Sequence, residues 1–314
     1  MPALKIAFFT EAGSKRGMGH LVRTYTLYKK ALSLGFNASF YLDSDVNYDY
    51  AFENLCYFSF RNFQLQEQYD VIFIDSYIAP LKIYNEIAKN CKVPVYLDDY
   101  ARLEYPHGII INFAPDAKNL FFQKEKKEHV YLLGLPYLVL REEVLTAKVQ
   151  KKKQIFIMLG GADTQGLTYQ IVHGLKYLKL DTVVVCNDRA TVTALKKYDN
   201  ITILYKPTDK ELIKQMAQST LAITTASMSV YELAYLNTSS LIIAITKNQS
   251  IGVKQLISHK LAAAFVDITE RDWVKKMAEN VQKLFTTRIL INTAISTDAS
   301  QKIYSKVLSL CKNS

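Results

Sequence analysis

The chain has 314 residues, of which 49% are hydrophobic and 22% charged, and its formal net charge is +10. This is the composition of a globular protein long enough for two packed domains, and it excludes disorder as the general state. No apolar run reaches the ~18 residues of a membrane-spanning helix, and no signal-peptide cleavage region follows the first strand, so we expect a cytoplasmic protein.

The basic excess is confined to the second half of the chain. Lys and Arg equal Asp and Glu at 17 each in residues 1–150, but they number 22 against 12 in residues 151–314. A basic half suits an anionic ligand such as a nucleotide diphosphate, and it leaves contact with a membrane surface open. The lysines are dispersed and no nucleic-acid module is recognisable, so we expect no nucleic-acid partner. Four scattered cysteines predict free, buried thiols and neither disulfides nor a zinc site.

In the first half, apolar runs of strand length alternate with segments of helical period, such as 20–35 and 80–90. The runs are not interrupted by polar residues, as parallel strands buried on both faces require. The predicted strands are "KIAFF", "ASFYL", "DVIFIDS", "VPVYLDD" and "GIIINF".

The second half repeats this plan. Its predicted strands are "IFIMLGG", "TVVVCN", "ITILY", "LAITTAS", "LIIAIT" and "AAFVDI". Its predicted helices lie near 164–178, 188–198, 208–218, 229–237, 249–261 and 271–286. This alternation is typical of a doubly wound parallel sheet, present twice.

We therefore predict an α/β protein with two Rossmann-like domains, at residues 1–148 and 149–296. A C-terminal helix within 297–314 can cross back to the first domain. The boundary is a polar, lysine-rich stretch near 145–153. Open α/β sheets bind ligands at the carboxyl ends of their strands, so we expect the active site in a central cleft that the two domains face.

A glycine-containing loop leads from the first strand to a helix that begins near His20. Gly13, Gly17 and Gly19 allow close backbone approach, and the helix N-terminus offers free N–H groups to an anion. Their spacing is not the dinucleotide fingerprint, so we do not expect a nicotinamide enzyme. The positive end of a helix favours the neutral imidazole of a general base, so His20 can be catalytic or can simply cap the helix.

Polar residues end two of the predicted strands in the first half. Tyr77 can position a water or a sugar hydroxyl, whereas its neighbours Asp75 and Ser76 can cap the next helix. Asp98 and Asp99 end the following strand. Adjacent strand residues point to opposite faces, so these two carboxylates form a poor catalytic pair.

The strand "LAITTAS" ends in small and hydroxyl-bearing residues. These suit a diphosphate at the N-terminus of the helix that begins with Ser229, and Glu232 can accept both hydroxyls of a ribose. Ser229 and Glu232 also fit the capping-box pattern, so a structural role is an equal alternative.

Two further strand ends carry candidate ligands. Gly160 and Gly161 let the backbone approach a base or a phosphate, or they form an ordinary tight turn. Asn248 and Gln249 can bond to sugar hydroxyls or a diphosphate, and Asn248 can equally be a helix N-cap.

Together, these motifs resemble the UDP-2,4-diacetamido-2,4,6-trideoxy-β-L-altropyranose hydrolases of pseudaminic acid biosynthesis and the related spore-coat SpsG proteins. The motifs follow the family's order over nearly the whole chain. They are "GMGHLVRT", "IDSY", "LDD", "INFAPDA", "GLPYLVLREE", "LGGADTQGLT", "TTASMSVYELAYL" and "KNQS". The family is similar to the MurG-type glycosyltransferases.

The resemblance implies the GT-B fold and cleavage of a sugar anomeric carbon–oxygen bond by water. UDP is released with inversion, without a metal or cofactor, and the UDP-sugar and water are the partners of a monomer. His20 is the implied general base, and Tyr77 orients the water. The implied substrate ligands are Gly17, Gly19, Arg23, Asn248 and Gln249. The implied UDP ligands are Gly160, Gly161, Ala226, Ser227, Met228, Ser229 and Glu232.

The sequence departs from the family at two places. "FTEAGS" stands where many members have Arg-x-Asp-Ala-Ser, which bears on sugar specificity. Ala226-Ser227 stands where many have Gly-Gly, which modifies the phosphate loop. Two alternatives stay open: an inverting GT-B glycosyltransferase, in which the same histidine deprotonates an acceptor hydroxyl, and a nucleotide-sugar-binding protein without turnover.

Overall fold

A computed structural model describes most of the chain. The described residues are 4–49, 51–122, 126–160, 163, 165–245, 249–286 and 295–312, and for 249–251 the backbone alone is described. The chain divides into two compact units, Met1–Arg141 with Ala294–Ser314, and Glu142–Thr293. In these described ranges, no helix is long and apolar enough to span a membrane.

The first unit contains a seven-stranded parallel sheet in the order β3-β2-β1-β4-β5-β6-β7. Its strands are β1 (Lys5–Ala12), β2 (Asn37–Ser44), β3 (Leu55–Phe58), β4 (Tyr69–Asp75), β5 (Cys91–Leu97), β6 (Gly108–Asn112) and β7 (His129–Leu133). Its helices are α1 (Gly19–Ser33), α2 (Leu81–Asn90), α3 (Ala117–Phe121) and, from the end of the chain, α11 (Ala299–Cys311). Short 3-10 turns lie at Phe60–Asn62 and Leu135–Tyr137.

This sheet is buried on both faces, as its unbroken apolar runs require. Phe8 of β1 belongs to one core cluster with Leu27 of α1, whereas Phe9 belongs to the opposite cluster with Ile83 of α2. The C-terminal helix completes the first cluster with the buried side chains of Ile303, Tyr304 and Val307. The buried hydroxyl of Tyr304 also donates to the Leu27 carbonyl at 2.7 Å.

The second unit contains a six-stranded parallel sheet in the order β10-β9-β8-β11-β12-β13. Its strands are β8 (Lys152–Met158), β9 (Thr182–Cys186), β10 (Ile201–Tyr205), β11 (Ser219–Thr225), β12 (Ser239–Ala244) and β13 (Ala264–Asp267). Its helices are α4 (Glu142–Leu145), α5 (Leu167–Leu175), α6 (Arg189–Leu195), α7 (Asp209–Gln218), α8 (Met228–Tyr235), α9 (Gln249–Ser258) and α10 (Trp273–Thr286). A 3-10 turn at Lys176–Leu178 continues α5.

Each sheet has one point where the strand order reverses. In the first sheet it lies between β1 and β4, and in the second between β8 and β11. At such a point the two connections leave in opposite directions, so the carboxyl ends of the strands open a crevice for ligands.

Every strand predicted from an apolar run is present in the structure, and β3 and β7 are additional strands at the two edges of the first sheet. The prediction of four buried thiols is wrong for three of them. All four cysteines are free, but only Cys186 is buried, whereas Cys56 is exposed and Cys91 and Cys311 are half-buried. Cys186 ends the interior strand β9 and is packed in the second core, whereas Cys56 lies on the edge strand β3, Cys91 begins β5 and Cys311 ends α11.

Candidate active site

The loop before α1 folds back on itself and delivers His20 to the carboxyl edge of the first sheet. Gly13 and Gly17 exchange main-chain hydrogen bonds of 3.2 and 2.9 Å. Gly17 has φ +72°, a conformation that favours glycine. Helix α1 then begins at exposed Gly19, and Met18 precedes it without a side-chain cap. His20 makes no cap either, and its side chain is turned inward with 7% of the residue exposed.

Asp75 fixes the orientation of the His20 imidazole. It ends β4, is fully buried, and has its Oδ1 atom 2.6 Å from His20 Nδ1. Because an ionised carboxylate can only accept, we assign a ring proton to Nδ1, which also lies 3.0 Å from Arg23 Nη2, and in the neutral ring the lone pair is then on Nε2. The predicted capping role of Asp75 is wrong, since α2 begins at Leu81 after Pro80 and Asp75 faces α1 instead.

Several donors keep Asp75 ionised. Burial by itself raises the pKa of a carboxyl group, but the charges and hydrogen bonds of Arg23 and His20 hold the pKa of Asp75 well below its usual range. Arg23 donates from Nε and Nη2 at 2.5 and 2.6 Å, and Thr24 donates from its hydroxyl at 2.9 Å. Asp75 therefore remains a negative partner for His20 at any pH near neutrality.

Arg23, predicted as a substrate ligand, is 4% exposed and is engaged inside the first unit. Besides its two bonds to Asp75, its Nη1 atom donates to both oxygens of Asp99 at 2.9 Å. Its guanidinium lies over the Phe113 ring, 5.3 Å from the centroid. Burial opposes the charge, but Asp75 and Asp99 keep the pKa of Arg23 well above its ordinary value.

Tyr77 and His20, the two predicted catalytic residues, lie side by side. Their rings meet edge to face, with centroids 4.3 Å apart and an interplanar angle of 89°. Tyr77 is 38% exposed, and its hydroxyl donates to Asp99 Oδ2 at 2.5 Å. Burial of the hydroxyl and the nearby charge of Asp99 raise the pKa of Tyr77, so the phenol stays neutral.

Asp99 is the residue of this group that the sequence did not single out. In the sequence it stands out only as half of an Asp98-Asp99 pair that is poorly placed for joint catalysis, and in the structure the two carboxylates have different partners. Asp98 accepts the main-chain N–H groups of Tyr100 and Arg102. A signal was available, because a carboxylate just after β5 lies at the same sheet edge as Asp75 at the end of β4.

Glu11, in the divergent segment "FTEAGS", supports the loop that carries Tyr77. Its carboxylate is buried and accepts the Ser76 hydroxyl and the main-chain N–H groups of Tyr77 and Ile78, at 3.2 and 3.3 Å for the latter two. Ser76 Oγ in turn accepts from Ile78 and Ala79 ahead of α2, so the prediction that Ser76 caps this helix is also wrong.

In the second unit, the ends of β8 and β11 lie next to each other at the point of strand reversal. Gly160 follows β8 with φ +89°, and a Cβ atom there would lie 4.0 Å from Thr225 Oγ1. Ser227 precedes α8 as its N-cap residue but makes no side-chain cap bond. Its buried hydroxyl has no hydrogen-bond partner among the described residues.

Helix α8 begins at Met228, one residue earlier than predicted. Ser229 is therefore inside the helix, and the alternative of a Ser229–Glu232 capping box is wrong. Ala226, Ser227, Met228 and Ser229 are half-buried, and Glu232 is buried. Small side chains thus flank the helix start at Ala226, Ser227 and Ser229, and the first N–H groups of a helix have no partner four residues earlier within the helix, which is the arrangement that binds an anion.

Three predicted ligands can be located only in part or not at all. Gly161 and Asn248 lie outside the described residues, and Gln249 is the first residue of α9, described by its backbone alone. Within the described part of the chain, no group of three or more His, Cys, Asp or Glu side chains is arranged to hold a metal ion.

No protein-family model matches the chain. A Campylobacter jejuni protein named UDP-2,4-diacetamido-2,4,6-trideoxy-beta-L-altropyranose hydrolase is 24% identical, over 78% of this chain and 93% of that protein. The chain resembles this hydrolase. A Helicobacter pylori protein, named pseudaminic acid cytidylyltransferase and hydrolase of the same UDP-sugar, is 25% identical over 77% of this chain and 44% of its own length. The predicted resemblance is confirmed.

An uncharacterized Methanocaldococcus jannaschii protein, MJ1062, is 26% identical over 74% of this chain and 54% of its own length. The chain thus spans about half the length of two of these relatives and nearly all of the third.

Solved structures of similar fold cover both units. MurG of Acinetobacter baumannii superposes with a TM-score of 0.62 at 14% identity, over 97% of this chain and 99% of that one. Arabidopsis thaliana UGT89C1 complexed with UDP-L-rhamnose gives 0.67 at 12% identity, over 99% and 100%. The chain has the two-domain GT-B fold of these proteins, and the predicted fold class is confirmed.

Proposed function

We propose that the protein hydrolyses a UDP-linked diacetamido-trideoxy sugar to UDP and the free sugar, in pseudaminic acid biosynthesis. The names of the C. jejuni and H. pylori relatives support the substrate class. The reaction is supported by one observation above all, the 2.6 Å contact of His20 Nδ1 with buried Asp75. This pairing makes Nε2 the basic atom of an oriented general base.

In the proposed step, a water oxygen attacks the anomeric carbon while the bond from that carbon to the diphosphate oxygen breaks. The bonding electron pair leaves with UDP, and His20 Nε2 takes one water proton. Attack from the face opposite to UDP inverts the anomeric centre. Asp75 stabilises the imidazolium that forms, as a carboxylate does behind any catalytic histidine.

In this step we assign the orientation of the attacking water to Tyr77. Its proton is donated to Asp99, so only its lone pairs face outward. The phenol oxygen therefore accepts the second proton of the attacking water, which leaves a water lone pair for the sugar. Two acceptors on one water fix its orientation, and holding a reactant in the reactive orientation removes a large part of the activation barrier.

We assign UDP to the second unit. In this assignment the N-terminus of α8 and the Ser227 hydroxyl bind the diphosphate, and Glu232 accepts the ribose hydroxyls. We further assign the base to Gly160 and Gly161 and the substrate to Asn248 and Gln249, as the resemblance implies. UDP is a good leaving group, and these groups stabilise its charge, so the proposed step uses neither a metal nor a cofactor.

The test is the release of UDP from the UDP-linked diacetamido sugar by the purified protein in buffer alone. We expect release without an acceptor, and its loss in His20→Ala with UDP binding retained. His173→Ala, which changes an exposed histidine of α5, is the matched control and should leave the rate unchanged. Release only after an acceptor is added would establish the glycosyltransferase instead, and binding without release would establish the non-catalytic protein.

A further inference from the structure

Tyr77 lies in the connection between β4 and α2, and its partly exposed ring packs edge to face on His20 and lies 5.4 Å from the centroid of the Tyr100 ring. Glu11 holds its main-chain N–H group, but this contact leaves the side chain free to rotate about χ1 and χ2. Among the described residues, the contact that fixes the hydroxyl is the 2.5 Å bond to Asp99. The position of the phenol oxygen therefore depends on how firmly Asp99 is held.

Asp99 is held by the interior of the unit. Both of its oxygens accept from Arg23 Nη1, and Arg23 is clamped by Asp75 on one edge and by the Phe113 ring on its face. Asp75 also holds His20. A continuous chain of hydrogen bonds thus joins Tyr77 to His20 through Asp99, Arg23 and Asp75. The rings of Tyr77 and His20 are also in direct contact.

We propose that Asp99 is a positioning residue, which acts through Tyr77 to set both the place and the hydrogen-bonding direction of the phenol oxygen beside His20. The proposal rests on the hydrolysis described above. An ionised carboxylate has no proton to give, so it compels Tyr77 to donate and to present lone pairs to the attacking water. Arg23 belongs to α1 and is anchored to Asp75, so its hydrogen bonds to Asp99 fix this carboxylate relative to α1.

A simpler role for Asp99 would be to balance the buried charge of Arg23. The two roles differ in their consequence for Asp99→Asn. The amide oxygen is needed by Arg23, which can only donate, so the amide NH2 turns toward Tyr77 and donates to it. The phenol proton then points outward, and the water meets a donor where the mechanism needs an acceptor. Charge balance alone involves no change at Tyr77.

The experiment is a double-mutant cycle of Asp99→Asn and Tyr77→Phe, measured as kcat and KM for UDP release. We expect each single variant to lower kcat by roughly 10- to 100-fold with little change in KM, as for loss of a group acting on the transition state. Since Asp99 acts through the Tyr77 hydroxyl, the double variant should lie within about threefold of the slower single variant.

The matched control is Asp70→Asn, at the other end of β4, where the carboxylate binds the Lys5 main chain and the Lys92 side chain. We expect this variant to keep the wild-type kcat. Asp99→Glu, which keeps an acceptor on a longer side chain, should recover part of the loss even if Asp99→Asn folds poorly. Multiplicative losses in the double variant, or a wild-type kcat in Asp99→Asn, would overturn the proposal. A wild-type protein that releases no UDP would overturn the proposed function instead, and this inference with it.

Discussion

Asp75→Asn is the substitution that most directly probes the buried pairing of base and carboxylate. Every partner of Asp75 is a donor: His20 Nδ1 and Arg23 Nη2 at one oxygen, and Arg23 Nε and Thr24 at the other. An asparagine of the same shape presents an NH2 group at one of these two positions. It therefore places donor against donor in a site without solvent, whichever way the amide turns.

The size of the effect follows from this geometry. Removing one partner of a buried ion pair costs about 3–5 kcal/mol, and we expect about 3 kcal/mol because Asp99 still balances Arg23. A single domain has a free energy of unfolding of about 5–15 kcal/mol, so the variant should still fold. In either orientation the amide lacks the negative charge that stabilises the imidazolium, and with the NH2 toward His20 the ring proton also moves to Nε2 and the base is lost. We therefore expect kcat to fall by roughly 10²- to 10⁴-fold, the usual contribution of a general base.

The assay combines UDP release with urea unfolding, with Asp70→Asn as the control for an amide substitution in the same strand. Because folding lowers the pKa of Asp75, its contribution to stability is full above the ordinary carboxyl pKa of about 4 and disappears as the pH falls through the lower folded value. The stability gap between wild type and Asp75→Asn should therefore narrow in acid. A kcat within about threefold of wild type, or a gap that widens in acid, would refute this reasoning.

Further predictions concern the second unit. Glu232→Gln should weaken UDP binding about tenfold in calorimetry, because an amide cannot accept both ribose hydroxyls, and unchanged affinity would remove Glu232 from the UDP site. Ser227→Ala should weaken UDP binding a few-fold without loss of folding stability, since its hydroxyl has no partner among the described residues; a loss of stability would instead indicate a structural role. Gly174→Ala should destabilise the unit by about 1–3 kcal/mol in urea, as the new Cβ would lie 2.5 Å from Val274 Cγ1, whereas Gly252→Ala in α9 meets open space and should be neutral or stabilising. Treatment with EDTA should leave UDP release unchanged, and a loss restored by a divalent cation would contradict the metal-free step.

The interior strands of both sheets were predictable, because an uninterrupted apolar run of strand length is typical of a parallel strand buried on both faces. The edge strands β3 and β7 were not. β3 has four residues and leaves Cys56 and Tyr57 exposed, and the run "HVYLL" of β7 begins with a histidine, so each offers only a short apolar stretch. Edge position by itself does not hide a strand, since the edge strands β10 and β13 of the second sheet were predicted from the apolar runs "ITILY" and "AAFVDI".

The site was predictable where it depended on local order along the chain. The sequence places His20 at a helix start after a glycine-containing loop, and it places Tyr77 after the end of a strand. The order of the motifs then implied that the two residues act in one site. Asp75 and Asp99 follow strands and could be placed at one sheet edge, but their partners could not be assigned, because these depend on the pairing of β1 with β4 and of β4 with β5. The Ser229–Glu232 capping box was wrong because α8 begins at Met228, one residue earlier than predicted, which places Ser229 inside the helix.

Attack of water on the anomeric carbon can be followed with isotopically labelled water. The wild-type protein is given the UDP-linked sugar in water enriched in oxygen-18, and the products are examined by mass spectrometry and by NMR. We expect the heavy oxygen on the anomeric carbon of the released sugar, with the configuration inverted and no label in UDP. Label in the phosphate of UDP, or no product until an acceptor is added, would contradict it.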